Sequence, residues 1–229
     1  MALMYGVVLL MLPRLPASKA PEPGQRRPGS RGWLELVDGL VYIGRSPALL
    51  ALLGLAFVPL IFGVPYQTLM PLFAEEVFVV GAAGLGALMT ASGIGALLGA
   101  LAVAALSGYA RPGLLQLVLG VAFGLSLVAF ALSPSFLLAV GLLVVVGFTL
   151  SAYNTLNNTL IMGNTEPRLY GRVMSVYLLT FAVMPLASLP AAWMADHVGG
   201  RAVVAGGGLV IALAVVGVAT LYPRYRDIH

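Results

Sequence analysis

A chain of 229 residues that is 60% hydrophobic and only 9% charged cannot cover a soluble globule with polar side chains, so it needs lipid around it. Its net charge of +4 comes from Lys and Arg gathered in short connections between apolar runs, a pattern of membrane topology that argues against a nucleic-acid partner. With no cysteine, disulfides, thiol nucleophiles and thiolate metal sites are excluded.

The opening apolar run, residues 2–12, is too short to span a bilayer. A secretory leader would carry its positive charge ahead of that run, whereas Arg14, Lys19, Arg26 and Arg27 follow it. It is expected to be the tail, over 1–12, of a truncated transmembrane helix. Residues 13–47 form a basic, Pro- and Gly-rich cytoplasmic linker. Its end carries an amphipathic helix in which Trp33, Leu36, Val37, Leu40 and Val41 share one face, lying at the headgroup level or against loop ends.

Six apolar stretches follow at about 48–72, 82–107, 112–132, 134–162, 172–195 and 201–222, each long enough to cross roughly 30 Å of hydrocarbon as a helix. The fold class expected is an all-α polytopic membrane protein with six complete transmembrane helices and a partial N-terminal one. The basic residues from Arg14 to Arg45 fall on one side of this layout together with Arg111, Arg168, Arg172, Arg224 and Arg226, and Arg201 alone falls on the other. The richer side is cytoplasmic, which puts the 223–229 tail inside and Glu75, Glu76 and Asp196 outside. The spans divide into two three-helix repeats, 48–132 and 134–222, with similar connections (FAEEVFVVG and GNTEPRLYG, then SGYARPG and ADHVGGR) and opposite starting faces.

No Asp, Glu, Lys, Arg or His lies mid-span, so a proton-coupling group cannot be placed inside these helices. In the first span Pro59, Pro65 and Pro71 interrupt backbone bonding and leave carbonyls near Tyr66, Gln67 and Thr68. They mark either a path lining or a structural kink. The fourth span presents Ser151, Asn154, Thr155 and Asn158 on one face, which must meet another helix or a watery path. Asn157 points away from that face and is assigned to packing. Tyr177, Thr180, Met184 and Ser188 make a mixed face on the fifth span, suited to amphipathic or aromatic ligands or to core packing. The substrate-path candidates are therefore Tyr66, Gln67, Asn154, Asn158, Tyr177 and Met184. Rows of small residues, Ser92, Ala96, Ala100 and Ala104 beside Ala91, Gly95 and Gly99, with Gly120 and Gly124 in the next span, serve close helix packing. No catalytic set, metal-ligand spacing or cofactor motif stands inside the membrane, so an enzyme is not expected.

Three stretches carry a resemblance. The segment LVDGLVYIGRSP through TLMPLFAEEVFVVGAAGLGALMTASGIGALLGAL is similar to the seventh-to-eighth helix region of bacterial drug and siderophore exporters in the major facilitator superfamily. NNTLIMGNTEPRLYGRVMSVYLL resembles their tenth-to-eleventh helix connection, and PLASLPAAWMADHVGGRAVVAGGG their last hairpin. SGYARPG keeps Arg111 and Gly113 of the family's loop signature but lacks its Asp. The resemblance implies the C-terminal half of an efflux transporter in a bacterial inner membrane, working by alternating access on small organic molecules. Its partners would be lipid, the substrate and a missing N-terminal half or a second half-transporter. In the connection GNTEPRLYGR, Arg168 and Arg172 are cytoplasmic gate candidates, or merely enforce topology. The alternative is a truncated, non-transporting membrane protein or interaction scaffold.

Overall fold

Proline shapes the first span. In this computed structural model, which describes residues 39, 41–44, 46–106, 111–182, 184–222 and 225 but not the side chains of 180–184, helix α1 covers Pro47–Phe62. Ser46 caps it, accepting from the Leu49 N–H at 3.4 Å, and Pro47 sits in the first turn where its missing N–H costs nothing. Pro59 lies inside the helix and cannot donate to the Leu55 carbonyl four residues back. A donor arrives from another helix instead: the Tyr153 hydroxyl donates to Leu55 O at 2.8 Å. The chain then breaks at Gly63 and Val64, whose N–H groups both turn to Pro59 O at 2.8 and 3.0 Å. Pro65 has no N–H and Tyr66 donates to Gly63 O at 3.1 Å, so Leu60, Ile61 and Phe62 lose their usual helical donors.

Helix α2, Pro65–Leu72, resumes the span, and a π-helical turn, Phe73–Val77, ends it. Phe78 N–H closes that turn on Phe73 O at 2.9 Å. Beyond it Val79 stands at φ 53°, a left-handed setting for a β-branched residue that costs on the order of 1–3 kcal/mol. The span therefore runs to Val77, past the expected end at 72, and carries Glu75 and Glu76 within helical backbone.

The remaining helices are α3, Gly81–Ala105; α4, Pro112–Ala131; α5, Phe136–Gly163; α6, Tyr170–Ala182; α7, Met184–Val198; and α8, Gly200–Leu221. Among the described residues, five helical segments are long and apolar enough to cross a membrane: Pro47–Val77, Gly81–Ala105, Pro112–Ala131, Phe136–Gly163 and Gly200–Leu221. The segment expected as one span over 172–195 is described as α6 and α7 on either side of Val183, which lies outside the described residues. So do residues 1–38, nearly all of the linker and its amphipathic helix, residues 107–110 of the SGYARPG turn, and the last residues of the chain apart from Tyr225.

Glycine sets the closest helix crossings. A Cβ on Gly147 of α5 would strike Ser92 O of α3, and one on Gly95 or Gly99 of α3 would strike Val144 O or Phe148 O of α5. Backbone meets backbone along this seam, the use expected for the Gly95 and Gly99 row. Helices α4 and α8 repeat the device: a Cβ on Gly124 or Gly208 would lie 2.5 Å from the other's carbonyl oxygen. At one end of the bundle Arg201, at the start of α8, donates to Ser133 O in the α4–α5 turn at 3.3 Å. Phe78 and Phe136 meet edge to face at that end, with ring centroids 6.1 Å apart. Span ends that topology assigns to the same side are thus in contact.

Candidate functional site

Helix α5 carries a run of polar side chains into the interior. Tyr153 and Asn157, one turn apart, are buried at 0% and 1% exposure, while Ser151, Asn154, Thr155 and Asn158 are half-exposed on the adjoining face. Asn157 accepts from Gln116 Nε2 of α4 at 2.6 Å, and Gln116 Oε1 accepts from the Tyr225 hydroxyl at 2.5 Å. All three residues are buried, so this relay is an interhelical polar link in a setting with no water to substitute for it. Burial pushes the Tyr225 phenol up from its ordinary value, which keeps its proton in place as a donor.

Asn154 faces a small cavity of about 40 Å³ lined by Ala56, Pro59, Leu60 and Val64 of the broken first span, Leu150 of α5 and Tyr177 of α6. That volume suits roughly one water molecule and lies far below the roughly 300–1,000 Å³ of small-molecule pockets. Tyr177 also stands beside Asn157 and Asn158. The structure thus brings Asn154, Asn158 and Tyr177 together at the junction of α1, α5 and α6.

Tyr66 and Gln67 are elsewhere. The Tyr66 hydroxyl shares a 3.0 Å hydrogen bond with Ser92 of α3 and accepts from Gln67 Nε2 at 3.4 Å. Tyr66 is 1% exposed, held in the α2–α3 contact, whereas the Gln67 side chain is exposed. The Met184 and Thr180 side chains fall outside the described ones. A larger groove of about 420 Å³ between α4 and α8 is lined by Leu117, Val118, Val121, Val215 and other apolar side chains only. It has none of the polar groups that orient a ligand.

The sequence profile of the Major Facilitator Superfamily matches residues 1–187. The chain belongs to the Major Facilitator Superfamily. Comparison with curated proteins and with solved structures gave no match. As a member of that superfamily, with five described segments able to cross a bilayer, it is a multi-pass membrane protein of a transporter family.

In this facilitator the connection between α5 and α6 contains a short 3₁₀ turn, Pro167–Leu169, started by the proline. Arg168 there donates from Nε to Glu166 Oε2 at 2.6 Å, with both side chains largely exposed. Such a pair contributes about 0–1 kcal/mol. Arg172 is half-exposed on the first turn of α6, and its backbone carbonyl lies 3.2 Å from where a Cβ on Gly39 would sit. Gln116, Tyr153 and Tyr225 are among the buried polar residues that sequence reasoning missed. Gln116 had a signal, because it is the one amide in the apolar α4 and must find a partner.

Proposed function

We propose that this chain is the C-terminal half of a secondary transporter that exports small organic molecules, drug- or siderophore-like, by alternating access. Its six spans would form two inverted three-helix repeats, in a bacterial inner membrane with the C-terminus cytoplasmic. A missing N-terminal half or another half-transporter would complete the path. The observation that carries this reading is the neutral polar junction of Asn154, Asn158 and Tyr177, set against the broken first span. A folded membrane scaffold has no need to keep amides at such a junction, where each unpaired polar atom is destabilising.

Asn154, Asn158 and Tyr177 are the path residues at this junction, Tyr66, Gln67 and Met184 further path candidates, and Arg168 and Arg172 the cytoplasmic gate. Tyr66 would reach a path only when the α2–α3 contact opens, since Ser92 now holds its hydroxyl.

The test is reconstitution of the purified chain in proteoliposomes, alone and fused behind an N-terminal half of a facilitator exporter, with proton-driven efflux of a fluorescent amphiphile as readout. Export is expected only from the fusion, and Asn154→Leu with Asn158→Leu should reduce it at least tenfold. Export by the chain alone would overturn the half-transporter assignment. A folded, inserted fusion that moves nothing would favour the scaffold reading.

A further inference from the structure

Two buried side-chain atoms among the described residues have no hydrogen-bond partner, Asn157 Nδ2 and Asn158 Oδ1. Leaving such a group unpaired costs about 1–3 kcal/mol, so their occurrence on consecutive residues calls for a cause. Their polarity has one. Tyr225 is fully buried, and its hydroxyl donates to Gln116 Oε1. Turning the Gln116 amide over would offer that hydroxyl an NH2 and strand the phenolic proton in the interior. Gln116 therefore keeps its oxygen toward Tyr225 and its nitrogen toward Asn157 Oδ1. Asn157 has its oxygen occupied and its NH2 left over, while Asn158 presents a bare oxygen. The Tyr177 hydroxyl interacts with both amides without satisfying Asn157 Nδ2 or Asn158 Oδ1, which puts them on the α6 side of α5, about one turn from the Asn154 cavity.

We propose that Asn157 Nδ2 and Asn158 Oδ1 form a donor–acceptor seat for a neutral substrate group carrying both an acceptor and a donor, a primary carboxamide or a hydroxyl. Gln116 and Tyr225 are positioning residues that set which polarity the seat presents. This deepens the transporter reading and rests on it. A carboxamide satisfies the pair at once, its carbonyl accepting from Asn157 Nδ2 and its N–H donating to Asn158 Oδ1. A carboxylate brings only acceptors and meets the Asn158 oxygen with like polarity. A quaternary ammonium brings neither partner. Because the neighbouring cavity is small, the seat takes its ligand in a more open arrangement of α1, α5 and α6, and ligand binding favours that state.

The test uses the purified full chain in detergent, titrated with benzamide, N,N-dimethylbenzamide and benzoate while thermal unfolding is followed. Benzamide should bind at least tenfold more tightly than either analogue. Asn157→Asp keeps an oxygen for Gln116 but removes the donor, and should abolish the preference. Gln116→Glu obliges Asn157 to turn its NH2 toward residue 116 and should abolish it too, while Tyr225→Phe should weaken it by freeing the Gln116 amide to rotate. Equal affinity for benzamide and its dimethyl analogue on the unaltered chain, or no shift with either, would overturn the seat without recourse to any variant. Because binding is read without transport, the two readings separate. Amide selectivity in a chain that exports nothing when fused to a partner half sinks the exporter and keeps the seat; export with no amide selectivity does the reverse.

Discussion

The hydroxyl of Tyr153 replaces a hydrogen bond that Pro59 removes, and a double-mutant cycle can measure the replacement. Tyr153→Phe deletes one oxygen and keeps the ring in its fully buried place on α5. The bond lost is the 2.8 Å contact to Leu55 O, and the carbonyl has no helical donor because residue 59 is proline. An interhelical bond in a membrane contributes about 0.6–1.7 kcal/mol, and stranding the carbonyl adds a desolvation cost. The substitution should therefore destabilise by about 1–2 kcal/mol, roughly a five- to thirtyfold shift in the folding equilibrium. Pro59→Leu restores an N–H four residues from Leu55, so in that background Tyr153→Phe should cost under about 0.5 kcal/mol. Equilibrium unfolding of the four proteins in mixed detergent micelles gives the coupling. An equal cost of Tyr153→Phe in both backgrounds would refute the compensation and assign Tyr153 to its other neighbour, Gln116.

Three further outcomes are expected. Because the chain has no native cysteine, single cysteines at Ser30 and Glu76 should label from opposite faces of the membrane; labelling of both from one face would refute the assigned topology. Gly147→Ala, whose new Cβ meets Ser92 O of α3, should destabilise by about 1–3 kcal/mol, whereas Gly93→Ala, with open space around it, should be neutral or stabilise by up to about 1 kcal/mol; thermal unfolding compares the two. In a transporting fusion, Arg172→Glu should leave insertion intact and lower export at least tenfold with a shift toward inward-open labelling, while unchanged export would leave the residue a role in topology alone.

Sequence legibility followed the range of the forces involved. Five of the six expected span positions were readable because a bilayer demands long apolar runs, and the ends moved mainly where local hydrogen bonding overrides hydropathy: the first span continues through Glu75 and Glu76 because a π turn carries them. The three prolines announced a broken helix. That Leu55 O would be rescued by a residue 98 positions away could not be read, since nothing local to Pro59 names its partner. Likewise the Gly95 and Gly99 row was visible by its spacing, but its complement, Gly147, depends on how α3 and α5 cross. The amide face of α5 stood out through its period. The relay behind it did not, because Gln116 and Tyr225 are isolated residues on different segments that matter only once brought together.

The distribution of close packing argues for where this bundle can open. Helices α3 and α5, and α4 and α8, touch backbone to backbone through glycines, and a close-packed seam of that kind must lose many contacts at once to admit water. Helix α6 packs on α1 and α7 and meets α5 across the small cavity, through Tyr177 and the α5 amides. On the α1 side, that cavity abuts the stretch where Val64 N–H shares Pro59 O with Gly63 and the Leu60, Ile61 and Phe62 carbonyls lose their helical donors. A segment already broken needs no further backbone bonds cut to swing, and amides exposed by the movement are hydrated rather than stranded. In the proposed alternating-access cycle, opening costs least at the α1–α5–α6 junction, where Asn157 Nδ2 and Asn158 Oδ1 lack partners. The same junction keeps its polarity neutral, because a charge there would require several kcal/mol of compensation whenever the seam closed.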